Sequence, residues 1–220
     1  DGLILGTPIY MLESAAIIKQ IIDRLLSVGY NAKVKGRPAA IIVPYANKGW
    51  TSLPFVQPNF LLLWLHMNVV PRELIHLQGL SEAGMDKSAL SRANAAGRDV
   101  ALAAKGLPVE YVGEPGICPI CHDRNIRIHR DMKTVECCIC GIRGTLSLNG
   151  GKIEVHFTEE EIKKNRFTPE YLFRHEAYHI KPSIDHFNMT KAPRKEGRKK
   201  FEEYLKGSLA PPASTGTGGR

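Results

Sequence analysis

Long apolar runs are missing from this 220-residue chain. The longest, Phe60-Leu61-Leu62-Leu63-Trp64-Leu65, is far below the roughly 20 residues that cross a bilayer, so no membrane span is expected. A charged, then apolar, then small-residue leader of the secretory type is also absent. So is an initiator Met, and the chain is expected to begin inside a domain. Cysteine is lacking everywhere except between positions 118 and 140, where all five lie. That crowding excludes a disulfide framework spread over the chain and points to metal ligation in a reducing cytoplasm. There is no internal repeat.

Acidic residues are too few to balance the basic ones, and the net charge is +8. Much of the excess is one late block, Lys191, Arg194, Lys195, Arg198, Lys199 and Lys200. Such a block can meet nucleic acid or anionic surfaces. No aromatic is interleaved with it, so it reads as a solvated tail and nucleic acid is not expected as a partner. With 43% hydrophobic residues, a packed core is affordable in one or two domains.

What is present is first an alternation of strand and helix signals, the mark of a parallel α/β sheet. The opening segment, DGLILGTPIYMLESAAIIKQIIDR, predicts a buried strand over Gly2–Gly6, a Gly6–Tyr10 turn and a helix over about Ser14–Ser27. A second strand is expected at Ala39–Val43 and a helix at Leu53–Met67. A third strand is expected at Glu73–Gln78 and a helix at Asp86–Lys105, capped by Gly106. Right-handed crossovers would lay the three strands side by side. Beyond Val112 the texture changes. Gly113–Gly116 reads as a linker, and residues 145–157 as a hairpin around Asn149-Gly150-Gly151. Thr168 and Pro169 open a helix expected to end near Ile180, stopped by Pro182. The last residues, Ser208–Arg220, read as disordered. Three parts result: 1–112, 113–190 and a basic, partly disordered tail at 191–220.

Two Cys-x-x-Cys pairs, Cys118/Cys121 and Cys137/Cys140, lie fifteen residues apart. Four thiolates brought together from two tight turns make a tetrahedral all-sulfur site at zinc-ribbon spacing. Gly141 lets the second turn fold back. Cys138 is left as a spare thiol, and His122 and His129 are not needed as ligands. Structural zinc is expected, because four protein ligands leave no open position; rubredoxin-like iron uses the same ligands and stays open. His175-Glu176-Ala177-Tyr178-His179 fits the metallopeptidase pattern His-Glu-x-x-His. With Pro182 close behind and no third ligand at the expected place, surface histidines are the plainer reading.

The turn Gly6-Thr7-Pro8-Ile9-Tyr10 stands at the carboxyl end of a strand, where open α/β sheets bind ligands. Here DGLILGTPIY followed by IIKQIIDR resembles the central segment of the flavodoxin-like NAD(P)H-dependent FMN reductases, with Lys19, Asp23 and Arg24 filling the helix's Lys-x-x-x-Asp-Arg pattern. The likeness covers about residues 1–112. It implies an incomplete flavodoxin-like fold, with strands 3–5 present and the first strand and phosphate loop without a counterpart. It implies FMN as cofactor and a nicotinamide as co-substrate. Thr7, Pro8, Ile9 and Tyr10 would then lie against the flavin ring, and Ala46, Asn47, Lys48 and Gly49 on its other side, with Trp50 either stacking or packing. Some flavodoxin-family proteins also carry a zinc-ribbon-like extension, which the Cys-rich part resembles. The implied activity is transfer of electrons from NAD(P)H through flavin to a quinone, a flavin or a small redox acceptor, by a homo-oligomer. No side chain is expected to act as acid or base. The competing class is a non-enzymatic zinc-ribbon module that contacts nucleic acid or protein, with a metallopeptidase as a lesser alternative.

Overall fold

The structure is a computed structural model of the chain that describes residues 1–79, 82–113 and 116–208, without the side chains of residues 200, 203, 207 and 208. Parts of the expected linker and loops, and the tail beyond residue 208 expected to be disordered, lie outside the described residues. Two compact units result, Asp1–Phe173 and Arg174–Arg220.

In the first unit β1 (Leu3–Gly6) leads into a two-stranded hairpin, β2 (Ile9–Tyr10) and β3 (Glu13–Ser14), and then α1 (Ala16–Arg24) and the short α2 (Leu26–Gly29). Next come β4 (Pro38–Tyr45), α3 (Val56–Trp64), β5 (Asn68–His76) and α4 (Lys87–Ala104). The sheet order is β1-β4-β5, all parallel, as the crossover argument requires. The pleat of β4 divides the core. Ala40 and Ile42 face Ala96 and Val100 of α4, while Ala39, Ile41 and Val43 join Ile18 and Ile22 of α1 and Leu61 and Leu62 of α3. A central parallel strand has both faces covered, and β4 is accordingly an almost unbroken apolar run.

Local signals set most boundaries. Asp86 caps α4 by accepting the Ala89 N–H at 2.9 Å, and Gly106 behind it takes φ +78°, the left-handed conformation that suits glycine. Several expectations need correction. β1 is not buried: Leu3 is 37% and Ile4 48% exposed, because among the described residues β1 pairs on one side only, with β4. β5 begins at Asn68 rather than Glu73. Pro71 is accommodated at a bulge, where β4 skips register between Ala39 and Ile41 and no ladder N–H is required of it. The chain also does not pass directly from the Gly6–Tyr10 turn into a helix. A hairpin intervenes, turned by Met11 (φ +49°) and Leu12 (φ +76°); two non-glycine residues in that region carry no sequence signal.

A second sheet, β6 (Ile126–Ile128), β7 (Thr134–Cys137), β8 (Arg143–Asn149) and β9 (Lys152–His156), is antiparallel in chain order. Gly150 (φ +55°) and Gly151 (φ +79°) turn the last hairpin as expected. Helices α5 (Glu159–Lys163) and α6 (Pro169–His175) follow, and Thr168 caps α6 by accepting the Tyr171 N–H at 3.1 Å. The sheet is therefore flavodoxin-like α/β with a four-cysteine, zinc-ribbon-like β part.

In the second unit the helix does not stop at Pro182. A π turn, Glu176–Ile180, leads into α7 (Lys181–Met189) and α8 (Lys191–Ser208). Proline sits in the first turn of α7, where its missing N–H is harmless, and the wider turn ahead of it absorbs the ring. The basic block thus lies on a helix. Arg194 stacks on Phe187 with its guanidinium carbon 3.5 Å from the ring centroid.

Candidate metal centre and flavin loops

Cys118, Cys121, Cys137 and Cys140 come together with their sulfurs all within 4.8 Å of one another, and each residue is at most 1% exposed. Two turns of the same form present them. His122 donates its N–H to Cys118 O at 3.0 Å, and Gly141 donates to Cys137 O at 2.9 Å. The residue after each pair is left-handed, His122 at φ +53° and Gly141 at φ +73°. Glycine marks the second turn in the sequence; a histidine in the same role marks nothing. A Cβ on Gly141 would stand 2.3 Å from Arg166 Nη2, so glycine also makes room for that side chain.

The donor set fits a metal ion. Bare thiolates at this spacing would repel strongly in a dry pocket. Cys137 is held below the usual thiol range, first by the Cys118 thiol and then by those of Cys121 and Cys140. The Cys140 N–H points at Cys137 Sγ from 3.3 Å, a contact that favours the thiolate. A soft divalent ion satisfies all four at once. Cys138 is exposed and stands apart from the set. Beside it Glu136, 9% exposed, gathers Arg127 Nη2 at 2.9 Å, Arg143 Nε at 3.5 Å and Arg166 Nη2 at 3.6 Å. Burial raises its pKa, but these arginines, Arg127 foremost, outweigh burial and hold the carboxyl below its usual range.

The first turn is tied to the α/β half. Arg72 of β5 reaches Asp123 Oδ2 at 3.3 Å and Tyr111 OH at 2.8 Å, and it also donates to His122 O. Its guanidinium lies 4.5 Å from the Phe55 ring centroid. Asn59 of α3, fully buried, donates to Cys121 O at 3.2 Å. His122 itself stacks on Tyr111 with ring centroids 3.6 Å apart. Its imidazole is pushed below the usual histidine range, first by burial and then by the Arg72 charge. None of these contacts between distant segments has a local sequence signal.

The Thr7–Tyr10 and Ala46–Trp50 segments follow β1 and β4, adjacent strands of the parallel sheet. Thr7 is 2% exposed. Its hydroxyl oxygen accepts the Ala15 N–H at 3.1 Å and its O–H donates to Pro8 O at 3.3 Å, so it clamps the turn to the start of α1. Tyr10 is 62% and Trp50 43% exposed. Residues 46–49 are exposed too, and a Cβ on Gly6 or on Gly49 (φ +89°) would meet only open space. Open backbone and bare aromatic faces at two neighbouring strand ends suit a flat heterocycle. The hairpin is anchored from below, with Leu53 N–H donating to Leu12 O at 3.2 Å and Gln57 Nε2 to Glu13 Oε2 at 2.8 Å.

His175 and His179 have ring centroids 5.4 Å apart. Among the described residues, the four cysteines are the only group of three or more metal-type ligands that converge. The His-Glu-x-x-His pattern therefore lacks a third ligand there.

Residues 1–79 match the sequence model of the NADPH-dependent FMN reductase family. A solved structure of a flavone reductase is similar to the chain, with a TM-score of 0.75 and 21% identity. The match covers 93% of this chain and 76% of that one. It therefore extends beyond the parallel sheet into the cysteine-bearing part, and at that identity it shows the fold. No curated protein matches the chain in sequence. No helix among the described residues is long and apolar enough to cross a membrane.

Proposed function

We propose that the chain is an NAD(P)H-dependent flavin oxidoreductase, on the footing that residues 1–79 match the sequence model of the NADPH-dependent FMN reductase family. Its reductase part spans residues 1–112. It passes electrons from a nicotinamide to a quinone, a flavin or a small redox acceptor in the cytoplasm, and it works as a homo-oligomer. The observation that carries this reading is the pair of open loops at the carboxyl ends of β1 and β4 within the matched segment.

FMN bound there would supply the hydride and electron chemistry. The chain's own residues hold and orient. Thr7 fixes the first loop through Ala15 and is a positioning residue rather than a direct contact. Tyr10 and Trp50 offer exposed ring faces for stacking. The backbone of Pro8–Tyr10 and Ala46–Gly49 is available to hydrogen-bond the ring edge. No side chain in either loop is needed to move a proton.

The four cysteines, Cys118, Cys121, Cys137 and Cys140, hold zinc in a structural role. Four protein sulfurs would close the coordination sphere, and the buried contacts from Arg72 and Asn59 tie the centre's first turn to the α/β part. An acceptor of the kind named in the flavone reductase structure, a conjugated aromatic ketone, is consistent with this reading. The test is reduction of the FMN-supplemented protein by NADPH under anaerobic conditions, followed in the visible spectrum. Bleaching supports the proposal; a protein that binds no FMN and oxidises no NADPH refutes it.

A further inference from the structure

The reductase reading uses neither the basic block of the second unit nor the exposed rings beside it, and both lie on one pair of helices. In α8 the helical period sorts cations from apolar residues. Lys191, Lys195, Arg198, Lys199 and Lys206 fall on one side, and Pro193, Gly197, Phe201 and Tyr204 on another. Phe201 and Tyr204 stack with ring centroids 6.2 Å apart, and they are 60% and 69% exposed.

Helix α7 extends the apolar side. Arg194 clamps the turn between the helices: its Nε donates to Thr190 O at 3.3 Å, and its guanidinium covers the Phe187 ring. Its charge is therefore engaged within the unit. A groove of 650 Å³ runs between α7 and α8, with Phe187 on one side and Pro193 and Gly197 on the other. Phe187 is 59% exposed, and a Cβ on Gly197 would meet only open space.

Charge decides what this face can meet. Residues 191–208 hold seven Lys or Arg against three Glu, and Lys199 lies 3.9 Å from Glu196. A second copy of the chain would set like charge against like charge. Nucleic acid would engage the cations through its phosphates without calling for an apolar side. A helix with rings on one side and Lys/Arg on the other fits the boundary of an anionic bilayer. There the rings enter among the acyl chains, and the ammonium groups reach the headgroups on flexible stems. At 18 residues, α8 would lie along about 27 Å of that surface.

We propose that α7 and α8 form a peripheral anchor for an anionic phospholipid surface, with Phe187, Phe201 and Tyr204 inserted and the basic side of α8 against the headgroups. The anchor does not depend on the reductase reading.

The test is flotation of the full chain with phosphatidylcholine vesicles, either pure or containing about 30% phosphatidylserine. The acidic vesicles are expected to bind about tenfold more tightly, and raising the salt from about 0.1 M to 0.5 M should remove most of that preference. Lys191→Gln with Lys195→Gln should weaken binding to acidic vesicles about tenfold. Phe201→Gln with Tyr204→Gln should do the same, which a purely electrostatic contact would not show. Circular dichroism and metal content report that each variant is folded. Equal binding to the two vesicles, or acidic-vesicle binding that survives either double variant, overturns the proposal. So does a protein that binds single-stranded oligonucleotide but no vesicle. A dimer that the Phe201 and Tyr204 variant dissociates, with vesicles left unbound, overturns it as well.

Discussion

Arg72 and Asp123 form an ion pair at 3.3 Å with both side chains only 5% exposed, and it joins the parallel sheet to the first cysteine turn. A buried pair is weak evidence of net stability, but breaking one is costly because it strands a charge.

Asp123→Asn is therefore expected to destabilise the protein by about 3 kcal/mol or more, with Arg72→Met in the same range. Arg72→Met removes three donors at once, to Asp123, Tyr111 and His122, so it should be the worse of the two. Urea unfolding of the metal-loaded protein measures both. A change within 0.5 kcal/mol for either, the range of an ordinary surface substitution, contradicts the account of how the two parts are joined.

Metal removal should show that the cysteines are structural. One zinc per chain is expected by elemental analysis. Cys118→Ser or Cys140→Ser should lose it, while Cys138→Ser, at an exposed position, should retain it. A red protein with one iron would instead assign the same four sulfurs to electron transfer.

At the β6–β7 turn, Asp131 accepts from the Thr134 hydroxyl, from Thr134 N–H at 2.9 Å and from Lys133 N–H at 3.0 Å. The Thr134 side chain first, and then the two amides, lower its pKa to about 2. Because the folded value lies below that of the unfolded chain, near 3.9, its contribution is present above about pH 4 and fades as pH falls toward 2. Carboxyl carbon chemical shifts followed by NMR should give that low midpoint in the native protein, and Thr134→Val should raise it. An Asp131 that titrates near 4 in the native protein would falsify the capping role.

In the flavin loops Tyr10→Ala and Thr7→Val should behave differently. Tyr10 is exposed, so its loss should leave stability unchanged and weaken FMN binding. Thr7→Val leaves the Ala15 N–H without its acceptor, a cost of about 1–3 kcal/mol, which chemical denaturation should show without any flavin present. Unchanged FMN affinity in Tyr10→Ala would remove that loop from the site.

The parts legible in the sequence are those that local chemistry fixes. Asp86 and Thr168 at helix starts, Gly106 at a helix end and Gly150-Gly151 in a hairpin each mark a boundary. The spacing of four cysteines marks a cluster. The apolar run of β4 was readable as a covered strand because both its faces are apolar. What escaped depends on context. Met11 and Leu12 turn a hairpin without glycine, held by Leu53 and Gln57 far along the chain. His122 copies the role of Gly141 but looks like a spare ligand. Pro182 reads as a stop, yet falls in a helix's first turn. The Arg72 contacts join residues some 50 positions apart, and no periodicity encodes that distance.

The most direct test of the central claim is an anaerobic titration of the FMN-supplemented chain with NADPH, recorded in the visible range with unbound flavin removed. The account predicts a yellow protein that bleaches at one equivalent of NADPH per bound flavin and recovers its colour when a quinone is added. A colourless protein, or a yellow one that NADPH leaves unchanged, would contradict it.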